Sequence, residues 1–147
     1  MILLTRRGVL AGATALAAGG LVRSRASSAA QRTNHAVLVA CTAYPNLPPK
    51  VALVGPNHDA VLVRDYLLTR APVPFEAGNV AVLADGLDGA SASPPHQNIR
   101  AALAAVADRA VPGDFVYLHL SGHGAQQPES KVGDETDGLD EIFLPAD

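Results

Sequence analysis

The most informative segment of the chain reads Tyr117-Leu118-His119-Leu120-Ser121-Gly122-His123-Gly124. Its apolar residues predict a buried strand, from Phe115 to Leu120, that runs directly into the Ser-Gly-His-Gly tetrapeptide. A side chain at the end of a strand lies at the carboxyl edge of the sheet, where α/β proteins bind their ligands. Because imidazole groups titrate near neutral pH, His123 is a candidate general base. The glycines on either side would leave room for a substrate backbone to pass.

Two histidines in this segment have structural alternatives. His123 would, on the plainer interpretation, only hydrogen-bond main-chain groups at the end of its strand. We prefer the catalytic interpretation because a glycine stands on each side of it. His119 lies inside the strand, where burial favours a core histidine.

Strands alternate with helices along the rest of the chain. Apolar runs predict strands at His35 to Cys41 and at Asn79 to Leu83, and Ile142-Phe143-Leu144 begins a fourth. Amphipathic segments predict helices at Asn57 to Thr69 and at His96 to Ala110. This order predicts an α/β fold, with right-handed crossovers and a mainly parallel sheet that carries helices on both faces.

Both predicted helices carry apolar residues at helical spacing. Asn57 is the predicted N-cap of the first helix. The core-facing residues of that helix are predicted to be Ala60, Val63 and Leu67, with Leu62 and Tyr66 widening the same surface. Those of the second helix are Ile99, Leu103 and Val106.

Residues 1–30 are predicted to be an export signal and not part of the fold. Arg6-Arg7 precede an uncharged run from Gly8 to Val22, and the small residues Ser27-Ser28-Ala29-Ala30 follow. This arrangement is typical of export signals, and the arginine pair favours the twin-arginine route. A membrane anchor is the alternative, but the run is shorter than the ~20 residues that a span needs. We therefore expect export to the periplasm or the cell exterior, with no membrane association after signal removal.

Residues 31–147 are acidic. Four of the 11 Lys and Arg residues precede residue 31, whereas all 14 Asp and Glu residues follow it, which leaves seven basic against 14 acidic side chains. This balance argues against nucleic acid as a partner and suits basic peptides. The chain has one cysteine, Cys41, so no internal disulfide is expected.

Cys41 ends the first predicted strand and has two interpretations. If that strand neighbours the one that leads to His123, the thiol and the imidazole lie at the same sheet edge. The imidazole would then activate the thiol as a nucleophile. The alternative is a small buried apolar side chain, the commonest state of a free cysteine, and we prefer it.

Taken together, these segments resemble the large-subunit half of the caspase-like cysteine peptidases, and specifically the metacaspases. The resemblance extends from about His35 to Asp147, and its most specific part is an acidic run that follows the Ser-Gly-His-Gly tetrapeptide at the family's distance. In chain order, the matching segments are a first strand ending near Tyr44, Leu53 to Ala60, Asn98-Ile99, Pro112-Gly113-Asp114, Ser121-Gly122-His123-Gly124 with Gln126, and Asp134-Glu135-Thr136-Asp137-Gly138-Leu139-Asp140-Glu141 with Pro145 and Asp147.

The resemblance implies a caspase-like three-layer sandwich over residues 31–147, incomplete at the C-terminus, and hydrolysis of peptide bonds by a Cys/His dyad. His123 matches the catalytic histidine, and the Gly124 N–H would help to bind the oxyanion. The family's nucleophile lies on the next strand, so we expect it beyond Asp147, in cis or on a second chain. The 147 residues alone would then have little or no activity. The alternative is a non-catalytic module that binds peptides or partner chains, or a gene fragment.

The resemblance also implies sites for substrate and for calcium. Asp59 and Ser121 match positions that line an acidic pocket for an Arg or Lys side chain. Asp59 would otherwise be a favourable charge at a helix N-terminus. Asp140 matches a calcium ligand of the family, but a solvated acidic loop is the interpretation of this run that we prefer. No other cofactor is expected.

Overall fold

The computed structural model describes residues 32–147, and the predicted export signal lies outside the described residues. Three parallel strands form the main sheet: β1 (Asn34–Ala40), β2 (Val80–Ala84) and β3 (Phe115–Ser121). Their spatial order is β2-β1-β3, so every residue of the central strand β1 is buried. The predicted α/β class with a parallel sheet is confirmed.

Helices α1 (Gly55–Thr69) and α2 (His96–Arg109) cover opposite faces of this sheet. Alternate residues of β1 point to the two helices, as the pleat of a strand requires. Ala36, Leu38 and Ala40 pack into the core beneath α1, and Val37, Val39 and Cys41 pack into the core beneath α2. None of the helices within residues 32–147 is long and apolar enough to cross a membrane.

The first helix begins earlier, and faces differently, than the sequence predicts. Pro56 occupies its first turn, a position that needs no main-chain N–H. Asn57 was wrongly predicted as the cap: its side-chain amide donates instead to the Asp85 carbonyl at 2.8 Å. Leu62 and Tyr66 are 71% and 49% exposed, so their predicted core positions are also wrong. With about 100° of rotation per residue, both lie on the far side of the helix from buried Ala60.

A second, two-stranded sheet follows the main one. It pairs β4 (Gly124–Pro128) with β5 (Leu139–Phe143) in antiparallel register. The strand predicted at residues 142–144 therefore exists in part, but within the described residues it does not extend the parallel sheet. In α2, Ile99 and Val106 are buried as predicted, while Leu103 is partly exposed.

The residues after β5 return to the main sheet. The Leu144 N–H donates to the His123 carbonyl at 2.9 Å, and the Ala146 N–H donates to the Pro94 carbonyl at 3.3 Å. The Asp147 carboxylate accepts the His96 N–H at 2.8 Å, which caps the first turn of α2. The C-terminal residues are thus fixed against both the His123 turn and α2.

The outer edge of β3 is unpaired within residues 32–147. Val116, Leu118 and Leu120 alternate with Tyr117, which packs against the core beneath α1, so they face the α2 side of the sheet. They are 41–53% exposed. This edge has both the free main-chain groups and the apolar surface to accept a further strand.

Candidate active site

His123 lies in the short turn between β3 and β4, at the carboxyl edge of the sheet. Its imidazole Nε2 is 2.7 Å from the main-chain carbonyl oxygen of Val51. A carbonyl oxygen only accepts hydrogen bonds, so Nε2 carries the proton in the neutral ring. Nδ1 is then the nitrogen with a free lone pair, the form that a general base needs.

Val51 ends a short 3-10 helix, Pro49–Val51, which lies between the first predicted strand and the first predicted helix. It lies 72 residues before His123 in the chain. Because the contact uses a main-chain oxygen, no residue type in the sequence could have indicated it.

Tyr44 lies directly beside His123. Its hydroxyl oxygen accepts the His123 main-chain N–H at 2.7 Å, and the two rings lie 4.9 Å apart at a tilt of 46°. Burial raises the pKa of this hydroxyl, so the phenol stays neutral at physiological pH. The sequence marks Tyr44 only as the end of the first strand motif.

Gly122 is itself exposed, but the space that a side chain would occupy at this position points into the interior. A Cβ at this position would lie 2.6 Å from the Tyr44 hydroxyl, 3.0 Å from the Phe143 ring and 3.2 Å from the Cys41 Cβ. The residue is therefore glycine because of space, since its φ is not positive.

Cys41 lies one residue beyond β1, and its N–H donates to the Ser121 carbonyl at 2.9 Å. The strands that lead to Cys41 and to His123 are indeed neighbours. The Cys41 side chain is, however, fully buried, with its thiol 3.9 Å from the Pro94 carbonyl oxygen. Burial raises the pKa of this thiol to about 11; the Asp85 carboxylate acts in the same direction and a hydrogen bond with Tyr44 opposes it. At neutral pH Cys41 is a protonated, enclosed thiol, which is a poor nucleophile.

Asp59 and Ser121 are brought together by α1 and β3. The Ser121 hydroxyl donates to one Asp59 carboxylate oxygen at 3.1 Å, at an exposed position. Ser121 ends β3 at the sheet edge where His123 also lies, two residues before it along the chain. A carboxylate placed there can accept further hydrogen bonds from a cationic side chain.

Gly124 is the first residue of β4 and pairs with Phe143. The preceding residue, His123, accepts the Leu144 N–H, which makes it a hydrogen-bonded position of the ladder. Bonded and non-bonded positions alternate in antiparallel pairs, so the Gly124 N–H points away from β5. It is free to meet a ligand at the His123 turn.

In the acidic segment, residues 129–141, the carboxylates of Asp140 and Glu129 accept hydrogen bonds from main-chain N–H groups of the same segment. Asp140 accepts the Ser130 N–H at 2.9 Å, and Glu129 accepts the N–H groups of Gly133 and Glu135. Asp134 pairs with Lys131 at 3.1 Å. No group of three or more His, Cys, Asp or Glu side chains within residues 32–147 is arranged to hold a metal ion. The calcium site predicted at Asp140 remains a prediction.

Comparison with known proteins gives a family match over residues 34–147, to the model described as metacaspase, peptidase C14 domain. Metacaspase-1 of Cryptococcus neoformans is 35% identical over 96 residues, which cover 65% of this chain and 20% of that protein. Metacaspase-4 of Arabidopsis thaliana is 36% identical over 115 residues, covering 78% and 26%. Metacaspase III c of Phaeodactylum tricornutum is 34% identical over 95 residues, covering 65% and 27%.

The matched region thus spans about a fifth to a quarter of the length of these relatives. The parallel sheet, with one helix on each face, is consistent with the caspase-like fold. The family match covers nearly all of the described residues and includes the His123 turn, so the chain belongs to the metacaspase family of cysteine peptidases.

Proposed function

We propose that residues 31–147 supply the histidine side of a cysteine endopeptidase site that cleaves after Arg or Lys. The contact between His123 Nε2 and the Val51 carbonyl is the observation that carries this proposal. It leaves Nδ1 as a proton acceptor at an open sheet edge. We propose also that residues 1–30 direct export to the periplasm or the cell exterior by the twin-arginine route.

The proposed nucleophile is a cysteine other than Cys41. The burial of Cys41 and its pKa of about 11 disfavour attack on a substrate carbonyl. Cys41 is the single cysteine of the chain, so the nucleophile comes from a segment outside these 147 residues, in cis or from a second chain. The unpaired outer edge of β3 is where a strand that carries it would join the sheet.

The proposed reaction proceeds in two steps. His123 Nδ1 takes the proton of the thiol, sulfur attacks the scissile carbonyl carbon, and the carbonyl electron pair moves onto oxygen. In this proposal the Gly124 N–H, which points away from β5, binds that oxyanion. The C–N bond then breaks as His123 returns the proton to the leaving amine. A water molecule, deprotonated by His123, hydrolyses the resulting thioester and regenerates the thiol.

The preference for Arg or Lys rests on Asp59. Its exposed carboxylate accepts the Ser121 hydroxyl at the carboxyl edge of the sheet, the edge at which His123 also lies. A guanidinium group pairs with a carboxylate through two parallel hydrogen bonds. The excess of acidic over basic side chains after residue 30 would attract basic peptides to this surface.

The test is cleavage of fluorogenic peptides that end in Arg, Lys or Asp. The 147-residue chain is assayed alone, and together with a separately produced segment that follows the matched region in a full-length metacaspase. Each sample is run with and without millimolar calcium. We expect no turnover by the chain alone and cleavage after Arg and Lys in the complemented sample.

Single substitutions test the role that the proposal gives to each residue. His123→Ala should lower the rate by about 10²-fold or more, whereas His96→Ala, an exposed histidine on α2, should not. Asp59→Asn should lower kcat/KM for Arg peptides by roughly 10- to 100-fold, since it removes a charge-assisted pair. Cys41→Ala should cleave normally. Turnover by the chain alone that is lost in Cys41→Ala would instead make Cys41 the nucleophile.

A non-catalytic binding module is the second candidate. The exposed apolar residues along the unpaired edge of β3 favour it, since such an edge can accept a peptide strand. A complemented chain that binds Arg peptides and never cleaves them would support this candidate and contradict the peptidase.

A further inference from the structure

Tyr44 contacts His123 both at its main chain and at its ring. The hydroxyl accepts the His123 N–H at 2.7 Å, and the ring centroids lie 4.9 Å apart. Tyr44 is itself only 7% exposed, so it cannot move without disturbing the core beneath α2. A buried ring of this kind restricts the side-chain rotamers of its neighbour.

The imidazole is therefore held from two sides. The Val51 carbonyl accepts from Nε2 at 2.7 Å. The Tyr44 hydroxyl accepts the main-chain N–H, and its ring lies 4.9 Å from the imidazole. The Val51 contact selects the tautomer, but it persists only while the ring is aimed at that carbonyl. Tyr44 contacts the same residue at its main chain and at its ring, and so is placed to keep the ring aimed at that carbonyl.

Gly122 makes room for this arrangement. A methyl group there would lie 2.6 Å from the Tyr44 hydroxyl, so the hydroxyl would have to move. The glycine before His123 and the tyrosine beneath it are thus two parts of one arrangement.

We propose that Tyr44 is a positioning residue: it holds the His123 ring so that Nε2 donates to the Val51 carbonyl and Nδ1 stays free. The consequence for catalysis rests on the proposed function. The orientation of the ring can be measured without any peptidase activity, so the two proposals fail separately.

The test is NMR spectroscopy of the ¹⁵N-labelled 147-residue chain at about pH 8, which lies above the ordinary pKa of a free histidine side chain. Ring nitrogen shifts report the tautomer of His123, and hydrogen exchange reports the protection of its N–H. His123 signals are assigned by their loss in His123→Gln. In the unsubstituted chain we expect the Nε2-protonated tautomer and a protected N–H.

Tyr44→Phe removes only the hydroxyl. We expect roughly tenfold faster exchange at the His123 N–H, because one hydrogen bond is lost, and a shift of the ring toward a mixture of tautomers. Tyr66→Phe is the matched control, since Tyr66 is exposed on α1, and it should change neither signal.

Gly122→Ala is the second variant and leaves the hydroxyl in place. It should produce the same mixture of tautomers by displacing Tyr44, and it decides the question if Tyr44→Phe does not fold. An unchanged tautomer in both variants would overturn the proposal, even with faster N–H exchange. That result would mean that Tyr44 stabilises only the main chain of the turn and does not orient the imidazole.

Discussion

Asp85 fixes the chain where it leaves β1. Its carboxylate accepts the main-chain N–H groups of Thr42 at 2.8 Å and of Ala43 at 2.7 Å, and also the Thr42 hydroxyl. Because Asp85 directly follows β2, these bonds join the loops after two neighbouring strands. Burial acts to raise the pKa of this carboxyl, but the hydrogen bonds outweigh it and the pKa is lowered. The segment they hold leads directly to Tyr44.

Asp85→Asn should lower the free energy of unfolding by about 1–3 kcal/mol, because an amide makes weaker hydrogen bonds than a carboxylate and offers one acceptor in place of two. Urea unfolding at neutral pH measures the change. Asp88→Asn, an exposed residue in the same loop, is the control and should stay within about 0.5 kcal/mol. Equal losses in the two variants would contradict this role of Asp85.

At the scale of single residues, the sequence indicates His123 but not the groups that hold it. Histidine between glycines is a local pattern, whereas Tyr44 and Val51 lie 79 and 72 residues away in the chain. Asn57 shows the same limit. Its residue type favours a helix cap, yet its side chain bonds Asp85, which only the tertiary fold brings near.

Among the elements, α1 has the clearest division between a buried and an exposed face. Ala60 and Leu67, seven residues apart and therefore about two turns, point into the core between α1 and the sheet. Leu62 lies on the opposite side and is 71% exposed. Two leucines in one helix thus differ almost completely in burial.

Leu67→Ala should lower the free energy of unfolding by about 2–5 kcal/mol, through lost burial and the cavity left behind. Leu62→Ala is the same chemical change on the exposed face and should cost less than about 0.5 kcal/mol. Urea unfolding of both variants tests the orientation of α1. A larger loss of free energy of unfolding in Leu62→Ala than in Leu67→Ala would show that Leu62 packs in the core, as the sequence predicts.

Element bounds could be predicted where apolar runs are continuous. The strand predicted at His35 to Cys41 differs from β1 by one residue at each end, and the predicted α2 differs by one residue at its C-terminus. The pairing of β5 could not be predicted, because its partner β4 reads Gly-Ala-Gln-Gln-Pro and lacks strand-forming residues. Its hydrogen bonds to β5, and not its residue types, make it a strand.

Across the whole molecule, several carboxylates stabilise main-chain turns. Hydrogen bonds from Val111 and Thr33 lower the pKa of Asp114, and hydrogen bonds from Gly133 and Glu135 lower that of Glu129. Asp114 thus stabilises the start of β3, Asp85 stabilises the loop after β1, and Glu129 stabilises the acidic segment. All three act as acceptors in their charged form.

Acid should therefore destabilise the fold. Each of these groups has a lower pKa folded than unfolded, so its contribution is present above the unfolded value of about 4 and is lost as pH falls through the folded value. We expect the free energy of unfolding to be level between about pH 7 and 5 and to decline below about pH 4. Urea unfolding across this range measures it, and the decline should be shallower in Asp114→Asn. A constant free energy down to about pH 3 would contradict the assignment.

The hydrogen bond between Asp147 and the first turn of α2 has a consequence for the acidic segment. On one side, β4 is continuous with the His123 turn; on the other, β5 pairs with β4 and Asp147 caps α2. Both ends of the exposed segment from Glu129 to Gly138 are thus anchored to the same body. A nick after Lys131 would open the loop but leave residues 132–147 attached without a covalent link, so the geometry around His123 would survive a cut chain.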